Sequence, residues 1–502
     1  MNPSRADVCP QKFAHLRYHV RVSTYHVQNF GCRATQADGA ALQRQFEARG
    51  LAFAPADRAD LIILNTCTVT NSADQDARAA IRRIGRQNPL AKIIVTGCYA
   101  QRAPGEIAAL AGVTAVIGNS HKHRLAALVL DENVPPNVPP GKTFLPIGAL
   151  TDNWELKPEN SIFVSDIFAH TELLAAPVFE SVGNASSHGN ERTRPNLKIQ
   201  DGCDNRCSFC VIPSVRGQSR SLPASQIIGE VNSLVAAGYR EVVISGINLG
   251  RWGRDLESQI PASGFRKSHF EDLIRSILAE TKLERLRISS VEPMDWSDEL
   301  IALVAASPHI AKHAHVPLQS GSDAVLRRMH RKYRPWHYRE KIEKIRAAMP
   351  TAAIGADVMA GFPGETDTEF ESTRRLIEDL PFTYLHVFTY SARPGTPAAS
   401  MLNQVPARVA RERNKTLRDL AAAKKRSFMQ TFTGKRLQAI TLGTIRNGSD
   451  GDFTEALTDN YQKLFLKGRH EANRWISADI EAVEDGAFVG SVKGSAQSPN
   501  LS

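Results

Sequence analysis

The chain is 502 residues long and 42% hydrophobic, with a formal net charge of +10 and a pI near 9.3. At about 150 residues per domain this length predicts roughly three domains. No apolar run approaches the ~20 residues of a membrane helix, and the opening MNPSRADVCPQKFAHLRYHV has no apolar h-region, so a membrane-spanning or secreted class is excluded and a cytoplasmic protein, monomeric by default, is predicted. Seven cysteines in such a chain point to ligands or free thiols rather than disulfides.

In chain order, residues 1–19 read as a loose tail, and Cys9 within it as incidental. Over 20–130, RVSTYHVQNF, DLIILNT, KIIVTG and TAVIG read as strands, because β-branched and aromatic residues run up to turn signals. TQADGAALQRQFEARG and NSADQDARAAIRRIGRQ between them have helical spacing, which predicts an α/β domain with a mostly parallel sheet. In the second helix Arg78, Arg82 and Arg86 recur every four positions with Arg83 beside them, either a solvated face or a surface for a polyanion. Residues 131–192, rich in Pro, Asn, Ser and Gly, read as a linker with local order.

A regular beat then occupies 193–430. LKIQ, EVVISG, LERLRIS, HAHVPL, AIGADVMAG and YLHVFTY alternate with helical stretches, giving six βα units and so an incomplete (β/α)6 barrel. The unusual motifs GCDNRCSFC, GINLG, SSVEP, QSGSD, GFPGET and YSARPGT each follow a strand, the face where such barrels keep their chemistry. Leu402 to Arg436 holds ten Lys/Arg against two Asp/Glu, a second candidate polyanion surface. Over 431–496 the pieces RLQAITLG, YQKLFLKG and AFVGSVKG fit a small β-barrel.

Cys203, Cys207 and Cys210 form C-x3-C-x2-C after the first barrel strand, with Phe209 between the last two. Soft thiolates at this density select iron–sulfur clusters or zinc. Three ligands leave one iron of a four-iron cluster open to chelate a cofactor; a zinc site completed elsewhere, or chance clustering, are the alternatives. Cys32 in NFGCRATQ, Cys67 in LNTCTVT and Cys98 in VTGCYAQ each follow a strand of the N-terminal domain, so all three belong at the carboxyl edge of one sheet, where α/β folds bind ligands. A lone Cys there is usually a buried small hydrophobe; three in equivalent positions make a shared site.

These motifs resemble the radical S-adenosylmethionine (SAM) superfamily and, within it, the methylthiotransferases, from about residue 20 to 495. The resemblance implies a [4Fe–4S] cluster on Cys203, Cys207 and Cys210 whose open iron binds SAM, and an auxiliary [4Fe–4S] cluster on Cys32, Cys67 and Cys98 that carries the methylated sulfur. It implies two SAM molecules per product, one for methylation and one for a 5′-deoxyadenosyl radical, and an electron donor such as flavodoxin or ferredoxin. The family commonly has Asn where this chain has Thr35. The segment EALTDNYQKLFL resembles a TRAM domain, an RNA-binding β-barrel. NTCTVTNSAD, GCYAQ and IQDGCDNRCSFCVIPSVRGQSRS resemble the MtaB-type subgroup, which converts N6-threonylcarbamoyladenosine beside the tRNA anticodon to its 2-methylthio derivative. Subgroups acting on N6-isopentenyladenosine or on a ribosomal-protein aspartate are the alternatives, and a non-catalytic iron–sulfur or zinc RNA-binding protein a more distant one. By position on the rim, Gly246, Asn248, Ser289, Glu292, Gln319 and Asp357 are candidates for SAM. Arg216, Arg220 and Arg393 are candidates for the substrate, the first two for the threonyl carboxylate or a phosphate. Ordinary loop and surface roles are the alternative for each.

Overall fold

The computed structural model describes residues 22–130, 161–170, 172–174, 194–256, 269–448 and 451–492. The expected tail, Cys9 and most of the 131–192 linker lie outside them.

Six strands, β1 (Thr24–Asn29), β2 (Ala52–Phe53), β3 (Leu61–Thr66), β4 (Lys92–Gly97), β5 (Val113–Gly118) and β6 (Ser161–Phe163), form a parallel sheet in the order β2-β1-β3-β4-β5-β6. Alternation within β3 shows the sheet is covered on both faces. Ile62 and Leu64 pack with Ile81 and Ile84 of the helix Asn71–Gln87, and Leu61 and Ile63 with Leu42 and Phe46 of the helix Arg33–Glu47. Strand β6 lies in the segment expected to be a linker with local order, and it pairs with β5. Three residues in a polar stretch are too short a run to show a period.

The six expected barrel strands are present: β7 (Asn196–Asp201), β9 (Glu241–Gly246), β10 (Arg285–Ile288), β11 (His313–His315), β12 (Ala353–Ala360) and β13 (Tyr384–Thr389). They run parallel as β10-β9-β7 and β11-β12-β13, and bridges Leu286–Ile310 and Ser290–His315 join the two groups. An unexpected short strand, β8 (Arg220–Ser221), pairs antiparallel with β7. Helix-facing residues such as Ile244, Leu286, Ile354 and Val358 fill one continuous core.

Beyond the helix Ala407–Gln430, β14 (Arg436–Gly448), β15 (Gly451–Thr458), β16 (Lys463–Lys467), β17 (Trp475–Glu484) and β18 (Ala487–Ser491) close as β14-β15-β16-β18-β17. Met429 and Phe432 seal this barrel from the helix side. The basic helix is only in part a free cationic surface. Arg413 is buried on Glu365 and Asp367, Arg408 and Lys415 pair with Glu412 and Asp419, and Lys424 and Lys425 donate to the carbonyls of Glu378 and Gly486. Among the described residues no helix is long and apolar enough to cross a membrane.

Candidate active site

Cys32, Cys67 and Cys98 leave the carboxyl ends of β1, β3 and β4, which are adjacent in the sheet, so the three thiols meet at one edge. Cys32 caps the helix Arg33–Glu47, and Cys98 opens the helix Cys98–Arg102. The approach of the first two is set by Gly31. Its φ is +96°, and a Cβ there would stand 2.4 Å from the Cβ and 2.7 Å from the Sγ of Cys67. A hydrogen bond with Cys67, aided by the Arg216 guanidinium and Thr35, holds the Cys32 thiol well below its ordinary range; the same contact and burial push Cys67 up. Thr35, the departure from the family pattern, is fully buried with its Oγ1 3.5 Å from Cys32 Sγ, and its carbonyl accepts from Asn65 Nδ2 at 2.8 Å. Asn119 Nδ2 reaches Cys98 Sγ at 3.5 Å and the Val215 carbonyl at 2.7 Å.

The second thiol group lies on the loop after β7. Gly202 has φ +71°, and a Cβ there would lie 1.8 Å from the Gln218 carbonyl, so only glycine admits this turn. Cys203 N donates to the Gly217 carbonyl, Ser208 Oγ to the Arg328 carbonyl at 2.7 Å, and Phe209 packs edge-on against Phe362. Burial raises Cys203 and pushes Cys210 up to about 12. Arg331 Nη1 donates to Cys207 Sγ at 3.3 Å and also pairs with Glu292, and Asn248 Nδ2 lies 3.7 Å from Cys203 Sγ. Asn248 and Glu292 therefore belong to the surroundings of this loop. Arg331, which sequence reasoning missed, holds it from the far side.

Beside Cys32, where the first domain, the barrel rim and the C-terminal barrel meet, lies a cavity of about 430 Å³. Cys32, Arg33 and Ala34 line it from the first domain, Gly246, Ser289 and Asp357 from the barrel rim, and Tyr461 from the C-terminal barrel. Three SAM candidates thus share one wall. Gln319 is not on it: its backbone, at φ +63°, bonds instead to Asp357 and Met359 on β12. An aromatic patch missed in the sequence floors the cavity. The rings of His313 and Tyr384 stack at 5.9 Å, His315 and His386 lie at 5.6 Å, and Tyr461 lies 4.7 Å from His313.

The three substrate arginines are elsewhere. Arg216 is 2% exposed and bonded to Asp201 at 2.8 Å and Asp38 at 3.1 Å, inside a network with Lys122 and Lys198 that joins the first domain to the barrel. Arg393 is likewise 2% exposed, held by Asp74, Asn71 and Thr68 of the first domain. Arg220 is buried and donates to the Gln218 carbonyl at 3.1 Å. Their polar sequence contexts suggested a surface, but each is covered where two parts of the chain meet.

Residues 24–118 match a family described as uncharacterized protein family UPF0004, and residues 197–377 the radical SAM superfamily. Among solved structures, the radical S-adenosylmethionine methyltransferase TsrM from Kitasatospora setae, with cobalamin and [4Fe-4S] cluster bound, has a TM-score of 0.52 at 16% identity, covering 76% of this chain and 74% of that one, a likeness of fold. Fold and site define a radical SAM enzyme. The threonylcarbamoyladenosine tRNA methylthiotransferase MtaB of Bacillus subtilis (strain 168) is 34% identical, covering 90% of this chain and 92% of its own. That of Rickettsia prowazekii (strain Madrid E) is also 34% identical, at 92% and 95%. The tRNA-2-methylthio-N(6)-dimethylallyladenosine synthase of Novosphingobium aromaticivorans is 33% identical, at 83% and 86%. The chain belongs to the radical SAM tRNA methylthiotransferase family.

That family uses [4Fe–4S] clusters and SAM, and the donor sets here fit them. Among the described residues no three His, Cys, Asp or Glu side chains surround a point that would hold a single metal ion. A four-iron cluster instead takes each thiolate on a different iron. Each group offers three thiols on glycine-shaped turns, with Arg331 beside one and Arg216 near the other to balance thiolate charge.

Proposed function

We propose that the enzyme converts N6-threonylcarbamoyladenosine beside the tRNA anticodon to 2-methylthio-N6-threonylcarbamoyladenosine. The observation that carries this reading is the chemistry of the cavity wall. Two arginines (Arg33 and Arg287), three histidines and two tyrosines suit a substituent bearing a urea, a hydroxyl and a carboxylate. An isopentenyl group, the substrate of the second reading, calls for an apolar pocket, since burying polar wall groups against it without partners is costly.

In this proposal Cys203, Cys207 and Cys210 hold the cluster that binds SAM, and Cys32, Cys67 and Cys98 hold the auxiliary cluster. When bound, these groups supply the carbon-centred radical and the methylated sulfur. The chain supplies position. Cys32 on one wall and Gly246, Ser289 and Asp357 on another line the same cavity, which supports a chamber shared by the two cofactor regions. Tyr384, Tyr461 and the histidines offer faces on which a base splayed out of a single-stranded loop can stack. Asn248 and the Arg331–Glu292 pair hold the Cys203–Cys210 loop in register with that chamber. The C-terminal barrel acts as a TRAM-like RNA-binding module, and a one-electron donor of the flavodoxin or ferredoxin class supplies reductant.

The test is mass spectrometry of tRNA nucleosides from cells with and without the gene. Loss of 2-methylthio-N6-threonylcarbamoyladenosine with accumulation of its unthiolated precursor is expected. A change confined to the isopentenyl series would transfer the assignment to the second reading.

A further inference from the structure

The carboxylate of a threonylcarbamoyl group needs a cation, and the arginines that sequence reasoning nominated are buried in ion pairs or against carbonyls. The cavity itself presents two others. Arg287 is 2% exposed and neutralised by Glu241, whose Oε1 accepts from Arg287 Nε at 2.7 Å. Arg33 is exposed, and among the described residues no carboxylate lies within ion-pair distance of it. Its Nη2 donates to Tyr461 Oη at 3.1 Å, which turns the guanidinium across the cavity mouth toward the C-terminal barrel.

Three further observations mark the place as built for a polar ligand. Tyr461 sits at φ +67°, a conformation uncommon for a residue with a side chain, and its ring is wedged against His313 and under the Arg287 guanidinium at 5.1 Å. Ser245 Oγ and His315 Nδ1 are buried at 5% and 8% residue exposure on the same wall and have no hydrogen-bond partner among the described residues. Arg33 and Ala34 are the first residues of the helix Arg33–Glu47, whose first turn holds no acid. The amides and dipole there add to an anion-favouring field.

Position links this cation to the chemistry. In adenine, C2 and the N6 substituent flank N1 on a single edge of the base. A base that offers C2 to the Cys32 wall therefore carries its N6 substituent along the same wall, and the next residue on that wall is Arg33.

We propose that Arg33, oriented by Tyr461, is the specificity residue that takes the carboxylate of the N6 substituent, an assignment that rests on the threonylcarbamoyladenosine reading above. It explains selectivity for a carboxylated base through one charge-assisted pair.

The test uses the full-length, cluster-loaded enzyme and two anticodon stem-loop RNAs, one carrying N6-threonylcarbamoyladenosine and one its threoninamide counterpart. Stem-loop Kd without reductant and kcat/KM with it are both read. The wild type is expected to prefer the carboxylate RNA by about 10- to 100-fold. Arg33→Gln should lose that preference by weakening on the carboxylate RNA alone, Arg33→Lys should keep part of it, and iron content should be unchanged. Because Arg33 adjoins Cys32, Tyr461→Phe provides a variant on the C-terminal barrel, a part of the chain that carries no thiol, and it should lower the preference several-fold. Equal use of both RNAs by the wild type overturns the inference while leaving the substrate reading intact. An equal loss on both RNAs in Arg33→Gln with full iron also overturns it, since that is the signature of a phosphate contact. A wild type inactive on both RNAs but active on an isopentenyladenosine stem-loop instead overturns the substrate reading itself.

Discussion

Gly31 shows how a single residue sets the first thiol group. Adding one methyl would put two Cβ atoms 2.4 Å apart at a backbone angle that L-residues rarely adopt, so either the turn or Cys67 must move. Gly31→Ala is therefore expected to lower bound iron from about eight to about four per chain while the Cys203–Cys210 cluster stays loaded. Iron analysis with visible spectroscopy checks this, and full iron would show that the turn yields without cost to the site. The six cysteines stand out in the sequence because tight spacing or a preceding strand marks each of them. Arg33, Arg287, His313, His315, Tyr384 and Tyr461 were not, since they come from a helix, three strands and a turn spread along the chain and only the fold gathers them. Arg216 and Arg393 misled for the opposite reason: a polar local context does not reveal that another domain covers it.

Elements with strong periods were read correctly, and several short ones were not named. The core strands β3, β4, β9 and β12 are runs of Val, Ile, Leu and Ala whose hydrophobicity speaks for itself. Strands β2, β6 and β8 have two or three residues each, and β15 and β17 alternate with charged positions, so neither length nor composition flagged them. The arginine-rich helix Asn71–Gln87 was read as an ambiguous face, and it divides. Arg78 donates to Tyr99 Oη at 2.6 Å, while Arg82, Arg83 and Arg86 are exposed. If those three meet phosphates, replacing all of them by Ala should weaken tRNA binding and reduce the slope of log K against log salt by about 2. Binding titrations at several salt concentrations decide it; an unchanged slope assigns the face to solvent.

At the scale of the whole molecule, buried charge joins the first domain to the barrel. Asp38 and Lys122 of the first domain interlock with Lys198, Asp201 and Arg216 of the barrel. Burial alone would raise the Asp38 carboxyl, but Lys122, Lys198 and Arg216 together hold it down at about 2. Asp201 is likewise lowered, Arg216 being the first of the cations that outweigh its burial. A carboxyl depressed on folding stabilises the folded state above its unfolded value of about 3.9, and that share is lost as pH falls through the folded value. For Asp38 this amounts to about 2–3 kcal/mol, complete above about pH 5 and draining away toward pH 2. Urea midpoints of wild type and Asp38→Asn should therefore differ widely at pH 7 and converge on acidification; a gap that stays constant with pH would show that Asp38 titrates no differently once folded.

The composite wall of the chamber has a consequence in time. All six cysteines precede residue 211, whereas Tyr461 is synthesised long afterward. During translation the cluster ligands emerge, and their two domains can pack, well before the last side of the chamber exists. On the proposed ligand assignment, iron and sulfide can thus reach an open half-shell before the C-terminal barrel is made and closes it.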